Sequence, residues 1–337
     1  MATSRSDLLQ AKSVMSRRYL ARAVPTGVAT FALAAPRRPT LNVVGVGVGT
    51  KFTEGVETAT KCVRFYVIEK IGKNALSADE LLPTHIDGIP TDVIVTGKFK
   101  MLDTAAENKK HRRPVRPGTS IGFQFPPPKD NWVMAGTFGA VVTRSGKRYI
   151  LSNNHVLAEN GLIAIGSPIF QPGLLDGGTA NDKIAKLTRF IPIKPTGFNK
   201  VDCAIAQFLP TTGVNSHPMP KVGALSSKTP IAAVVGMKVE KTGRTTGYTR
   251  GTVFDIAADV NIEYEDKNGN AFVASFNDQM LIKSSPDPFS AQGDSGSLIV
   301  ARPSKRATGL LFAGSSTYTI GNHIDKVLAA LGVTLVP

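Results

Sequence analysis

Between Thr137 and Phe312 the chain is divided into short runs of aliphatic and β-branched residues, each closed off by glycine, proline, asparagine or aspartate. Such runs are too short and too closely spaced for packed helices, and they match the length of strands joined by turns. They fall at Thr137 to Thr143, Arg148 to Ser152, Ile163 to Ile165, Lys183 to Phe190, Val201 to Phe208, Ile231 to Val234 and Gly251 to Val260. The series continues at Ala271 to Ser275, Gln279 to Lys283, Ser297 to Ala301 and Gly309 to Phe312. The 32 glycines and 22 prolines supply the turns this needs. Only Ile324 to Leu331, after the last strand, repeats its apolar residues with a helical period. The expected architecture is mainly β: two packed barrels closed by a C-terminal helix.

A chain of 337 residues can bury such a core without disulfides, and it holds only two cysteines, Cys62 and Cys203, each in an apolar run. Both are read as buried thiols, which together with a poor secretory signal points to a cytoplasmic protein. No run approaches the roughly 20 apolar residues of a membrane span, so no membrane partner is expected.

Four segments are expected. Residues 1–40 form a basic extension with seven Lys or Arg and one Asp, in which Leu8, Met15 and Tyr19 share one helical face. Residues 41–102 form a small α+β module, with strands at Leu41 to Val48, Lys61 to Glu69 and Thr91 to Thr96 and a helical turn at Ser77 to Leu82. Residues 103–119 form a basic linker around Lys109 to Arg116, and residues 120–337 are the catalytic domain. Gly45, Gly47 and Gly49 alternate after a strand, but with no helix behind them they read as a bulge or turn, not as a phosphate loop.

Three motifs carry chemistry. His155 lies just past a strand in Leu151 to Ala158, positioned to act as a general base. Asp202 heads the apolar strand Val201 to Ala206, where burial would bring it against an imidazole. Ser295 sits between glycines in Gln292-Gly293-Asp294-Ser295-Gly296, a tight turn that exposes its hydroxyl and lets the Gly293 and Ser295 amides share one oxyanion. Nucleophile, base, orienter and oxyanion donors together make a complete acyl-transfer site.

The order His155, Asp202, Ser295, with gaps of 47 and 93 residues, resembles the chymotrypsin-like (trypsin-superfamily) serine peptidases. Lys241 to Gly251 is similar to the strand and turn that open the second barrel in that family, and Gly309 to Ser315 to the strand lining its specificity pocket. The Val43 to Val48 module, with the Arg116 to Gly122 junction, is similar to the narrow-leaf-type peptidases of plants and their bacterial relatives. The resemblance implies a double β-barrel serine endopeptidase acting on proteins or peptides without a cofactor. It places Phe289, Phe312, Ala313 and Gly314 at the specificity pocket. Phe289 stands where trypsins carry an acid, so a preference for Lys or Arg is not implied. Phe312 stands where many relatives have a serine bonded to the triad carboxylate, so Asp202 needs another partner. The family pattern also makes Asp294 a candidate activation switch that would receive a newly cut amino terminus, released by an activating protease at the basic linker or the extension. The other reading of Asp294 is a simple pairing with a nearby arginine or backbone amides.

Other functions have less behind them. A non-catalytic peptide-binding module on the same fold would not need His155, Asp202 and Ser295 intact. The basic clusters at Arg17-Arg18, Arg37-Arg38 and Lys109 to Arg116 could tether nucleic acid, but no aromatic or fold signature of a nucleic-acid reader accompanies them, and none is expected. No metal site is expected: Asp266, Asn268 and Asn270 start like a calcium loop but lack its glycine and glutamate, and a hairpin through Asn268-Gly269 explains them. His85, His111, His217 and His323 have no ligand spacing.

Overall fold

Ser4 and Asp7 cap each other at the first described helix: the Asp7 amide donates to Ser4 Oγ at 3.2 Å and the Ser4 amide to Asp7 Oδ2 at 3.1 Å. The computed structural model describes residues 4–20, 42–77, 81–97, 99, 107–127, 133–217, 221–265, 270–284, 288–315 and 317–337. Helix α1 (Arg5–Tyr19) buries Leu8, Ala11, Met15 and Tyr19, the face expected from the sequence. Its apolar face packs on strands β1 (Val43–Thr53) and β2 (Val56–Val67), with Tyr19 edge-on to Phe65 at 5.4 Å. Strands β3 (His85–Ile86) and β4 (Ile89–Val95) complete this region, β4 running parallel to β2. Gly45, Gly47 and Gly49 lie within β1, in a strand that carries two bulges, and Tyr66 and Arg64 side chains cross over Gly47 and Gly49. Between Lys73 and Ala75 the chain makes one 3₁₀ turn; the expected helical turn at Ser77 to Leu82 falls partly outside the described residues. Arg37-Arg38 and the Asn268-Gly269 tip also lie outside them.

The next strands are β5 (Ser120–Ile121), β6 (Gly136–Thr137), β7 (Ala140–Arg144) and β8 (Lys147–Ser152), followed by a single-turn helix, α2 (Asn154–Leu157). Then come β9 (Pro168–Phe170), β10 (Lys183–Phe190), β11 (Phe198–Asn199) and β12 (Ala204–Phe208). The second half contains β13 (Lys238–Gly243), β14 (Gly247–Glu265), β15 (Ala271–Ser284), β16 (Leu298–Ala301), β17 (Arg306–Gly314) and β18 (Tyr318–His323). Helix α3 (Ile324–Leu331) and β19 (Thr334–Leu335) end the chain.

Pairing closes these strands into two barrels. In the first, β19, β7, β8, β12, β10 and β9 follow one another, and β9 returns to the β5–β6 pair through a bridge between Phe170 and Gly122. In the second, β13, β14, β15, β18, β17 and β16 form a ring, since β16 pairs back onto β13. Phe123, Phe138, Val141, Ile150, Ile169 and Leu187 fill the first. Val239, Val253, Met280, Ile282, Ile299 and Leu311 fill much of the second. A further cluster draws on both barrels and on α3, bringing Leu151 and Ile205 against Leu298, Leu310, Val327 and Leu331. This is the chymotrypsin-like double β-barrel with a C-terminal helix. Among the described residues no helix is long and apolar enough to cross a membrane.

Three features depart from the sequence reading. Ile163 to Ile165 and Ile231 to Val234 are not strands; they run as turn and loop beside β9 and β13. Gly251 to Val260 and the two runs after it belong to two long strands, β14 and β15, whose bulges near Asp255 and Ala258 interrupt a clean alternation. Finally, the strands of residues 42–97 are continuous with the second barrel. Strand β1 pairs with the outer half of β14, Gly45 opposite Val260 and Val46 opposite Asp259, so one sheet runs from β3 into the second barrel.

The basic linker is docked as well. Gln171, fully buried, accepts from the Arg112 amide and from Arg113 Nη1 and donates to the Lys110 carbonyl; His111 Nε2 lies 3.2 Å from Asp182. Asn108 Nδ2 donates to the Gly243 carbonyl, and Val115 bridges to Val214. These bonds hold the 108–115 segment along the barrels.

Helix α1 is joined to the β14–β15 pair by charge. Lys12, 4% exposed, donates to Asp259 at 2.9 Å and to Asp278 at 3.1 Å. Removing one partner of a buried pair strands the other. Lys12→Ala is therefore expected to lower unfolding free energy by about 3 kcal/mol, measured by urea denaturation. A change within 0.5 kcal/mol, the range of an ordinary surface substitution, would mean that the pair does not hold the helix.

Candidate active site

Asp202 lies between β11 and β12 and is fully buried, so its carboxylate survives only if its oxygens are satisfied. Oδ1 accepts from the Asn154 amide at 2.6 Å and more weakly from the His155 amide at 3.4 Å, the free donors of the first turn of α2. Oδ2 pairs with His155 Nδ1 at 2.5 Å and accepts from the Tyr264 hydroxyl at 2.9 Å. The backbone around it is fixed too. Its amide donates to Asn322 Oδ1 at 3.0 Å, Asn153 Nδ2 donates to its carbonyl at 2.8 Å, and Asn322 Nδ2 donates onward to Gln279 Oε1 at 2.6 Å.

His155 is 2% exposed. Burial by itself would lower its pKa; the charge and hydrogen bond of Asp202, with a smaller contribution from Glu159, outweigh this and hold it above the ordinary 6.5. With Nδ1 bound to the carboxylate, Nε2 is left without a hydrogen-bond partner among the described residues.

Ser295 sits on the turn the sequence predicts. Gly293 and Gly296 have φ of +90° and +92°, the left-handed region that a side chain strains. A Cβ on Gly296 would also lie 2.1 Å from Ser152 Oγ and 2.3 Å from the Thr137 carbonyl. The first barrel grips this turn directly: the Thr137 amide donates to the Ser295 carbonyl at 2.8 Å and Thr137 Oγ1 to the Gly293 carbonyl at 2.8 Å. Gly136 is wedged between the two halves of the site, where a Cβ would lie 2.6 Å from Val156 Cγ2 and 3.2 Å from the Ser295 carbonyl oxygen. The amides of Asp294, Gly296 and Ser297 are spent on backbone carbonyls, whereas among the described residues those of Gly293 and Ser295 meet no acceptor. Ser295 Oγ donates to the Phe312 carbonyl at 3.3 Å. The structure thus joins His155 to Asp202 and sets the Ser295 turn across Gly136 from Val156, with the serine hydroxyl bonded to β17 and not to the imidazole.

Asp294 is already occupied. Fully buried, it pairs with the equally buried Lys241 at 2.9 Å and accepts from the Thr245, Thr246 and Ala291 amides and from Thr246 Oγ1. Burial would raise its pKa, but Lys241 and these donors together hold it below the usual carboxylate range. The reading in which Asp294 awaits a newly cut amino terminus meets a carboxylate whose cation comes from β13. Next to it Arg244 forms a two-pronged bond with Asp176, at 2.6 and 2.7 Å, and its Nη1 crowds the space over Gly293.

The predicted pocket residues divide. Phe289 is 1% exposed and packs in the second barrel's core with Ile282, its ring lying over Gly251. The Phe312 ring is buried against Phe276 at 4.9 Å, and only its carbonyl reaches Ser295. Ala313 and Gly314 lie on β17 beyond Leu310, the last residue paired with β16. Opposite Gly314, Thr319 Oγ1 meets Ser290 Oγ at 2.6 Å.

The sequence reading missed Tyr264, Lys241 and Asn322. For Tyr264 a signal existed: Val260, Ile262 and Tyr264 alternate on one strand, and a tyrosine at a buried position needs an acceptor for its hydroxyl. The described residues contain no cluster of metal-binding side chains.

The fold and its three polar motifs define a serine-peptidase-like double barrel. A family model described as the Nal1 C-terminal domain matches residues 173–321. Protein NARROW LEAF 1 of Oryza sativa subsp. japonica is 23% identical over 316 residues, covering 81% of this chain and 51% of that protein. The chain therefore spans about half the length of the relative it matches. Among solved structures, a glutamic acid specific serine protease is similar at 21% identity and a TM-score of 0.44, covering 66% of this chain and 100% of its own. Thermobifida fusca Protease A is similar at 16% identity and a TM-score of 0.44, over 66% of this chain and 99% of its own.

Lys241→Met leaves Asp294 buried without its cation and is expected to cost about 3–5 kcal/mol of stability, read by denaturation. Wild-type stability in that variant would show that the backbone donors alone hold Asp294.

Proposed function

We propose that the chain is a serine endopeptidase that works through an acyl-enzyme. The observation that carries this reading is the buried His155–Asp202 pair, which binds Nδ1 and leaves Nε2 free to take a proton. Ser295 Oγ attacks the carbonyl carbon of the scissile peptide bond while its proton passes to His155 Nε2. The carbonyl oxygen becomes an oxyanion that receives the Gly293 and Ser295 amides. The tetrahedral intermediate then breaks the C–N bond, and His155 returns its proton to the departing amine, leaving an ester on Ser295. Water, deprotonated by His155, attacks that ester; the C–O bond breaks and Oγ recovers its proton. Asp202 stays ionised throughout and stabilises the imidazolium. Protein or extended peptide substrate would pair with the edge of β17 that β16 leaves beyond Leu310.

Asp294 held by Lys241 supports a site formed without chain cleavage. The 108–115 segment is tied to Gln171 and Val214, which supports the same view by giving the uncut segment a fixed place on the barrels, although Lys110, His111 and Arg113 stay on the surface.

The test is hydrolysis of an unstructured protein by the intact chain. Ser295→Ala and His155→Gln are each expected to reduce kcat by on the order of 10⁴-fold or more. Equal turnover in either variant would remove the mechanism, and no turnover by the wild type on any of a broad peptide set would favour a peptide-binding module instead. The pH profile gives a second check. His155 acts as a base only when neutral, and its pKa is raised, so kcat/KM should fall on acidification with a midpoint above 6.5. A midpoint below that value would mean that Asp202 does not stabilise the imidazolium.

A further inference from the structure

We propose that Tyr264 is the residue that positions the Asp202–His155 pair, supplied by the β14–β15 arm in place of the side chain at Phe312. The inference rests on the peptidase reading and deepens it. Tyr264 belongs to the second barrel's longest strand pair, beyond the part of β14 that pairs with β13. Its hydroxyl donates to Asp202 Oδ2, the same oxygen that holds His155 Nδ1. Its ring stands 6.3 Å from the His155 ring at an interplanar angle of 63°, so a single side chain binds the carboxylate and walls the imidazole.

The ring has little freedom. Phe272 stacks on it at 5.8 Å and Phe276 packs at 6.1 Å, and Tyr264 is 3% exposed. The strand beneath is fixed on both sides. Strand β1 pairs with Asp259 and Val260, Lys12 of α1 binds Asp259 on β14 and Asp278 on β15, and Asn160 Nδ2, on the loop after α2, donates to the Glu265 carbonyl at 3.3 Å. The N-terminal region therefore braces the arm that carries Tyr264.

The alternative is a purely structural tyrosine, whose hydroxyl is satisfied by a convenient oxygen. The two differ in what happens to His155. The charged groups that act on His155 are Asp202 at Nδ1 and Glu159 on the turn after α2; Tyr264 faces the pair from β14. Tyr264→Phe keeps the ring and removes one donor from Oδ2. That oxygen then concentrates more charge on the imidazole, so His155 should titrate higher, by roughly half a pH unit.

The experiment is an NMR titration of the full chain with ¹³C-labelled histidine, in wild type and Tyr264→Phe, with the His155 signal assigned by its loss in His155→Gln. An upward shift of His155, with the other histidines unmoved and the thermal midpoint of unfolding retained, is the expected result. In turnover assays kcat should fall about 3- to 10-fold with KM unchanged. Identical His155 titration in the two proteins would overturn the proposal even if the variant were less stable. The titration does not depend on catalysis: a wild type that cleaves nothing yet shows the shift would retain the coupling and remove the peptidase reading beneath it.

Discussion

The two barrels meet at one buried carboxylate. Asp202 carries a negative charge with no exposed surface, a state that would cost several kcal/mol without compensation. Compensation comes from both sides: the Asn154 and His155 amides and the His155 ring from the first barrel, the Tyr264 hydroxyl from the second. Asn322 on β18 holds the Asp202 amide. Because the donors belong to separately closed barrels, the carboxylate is satisfied only when the barrels are docked. The site is thus a consequence of the interface, and the apolar cluster of Leu151, Ile205, Leu298 and Leu310 beneath it supplies the driving force for that docking.

A second buried charge fixes the Ser295 turn. Asp294 and Lys241 pair within the second barrel, while Thr137 of the first barrel bonds the Gly293 and Ser295 carbonyls from the other side. The turn's left-handed glycines are then over-determined, which is how a strained loop holds one shape. In the proposed mechanism the Ser295 hydroxyl, which lies on the Phe312 carbonyl, leaves it to meet His155 Nε2. Catalytic hydrogen bonds often close only when substrate is bound.

What the sequence revealed was what is local along the chain. The glycine turn at Ser295, the acid heading an apolar strand and the helix Ile324–Leu331 each depend on neighbouring residues, and each stands where it was expected. The contacts of helix α1 and of the 108–115 segment were not legible because their partners are remote. Lys12 is basic in a basic stretch, and only folding brings it to Asp259 and Asp278; Gln171 and Asp182 gather the linker in the same way. Strands β14 and β15 were broken up because bulges disrupt the period-2 pattern. Which way the Phe289 side chain points is set by its apolar surface and not by its place along a motif. Tyr264 was overlooked for a related reason: its role is set by an oxygen 62 residues away.

The central claim is that the uncut chain already holds an activated serine. It is tested most directly by treating the intact protein with a fluorophosphonate and locating the adduct by mass spectrometry. The account predicts a phosphonyl group on Ser295 of the uncut chain, lost in His155→Gln. No adduct at Ser295, or one that forms only after the chain has been cleaved, would contradict it.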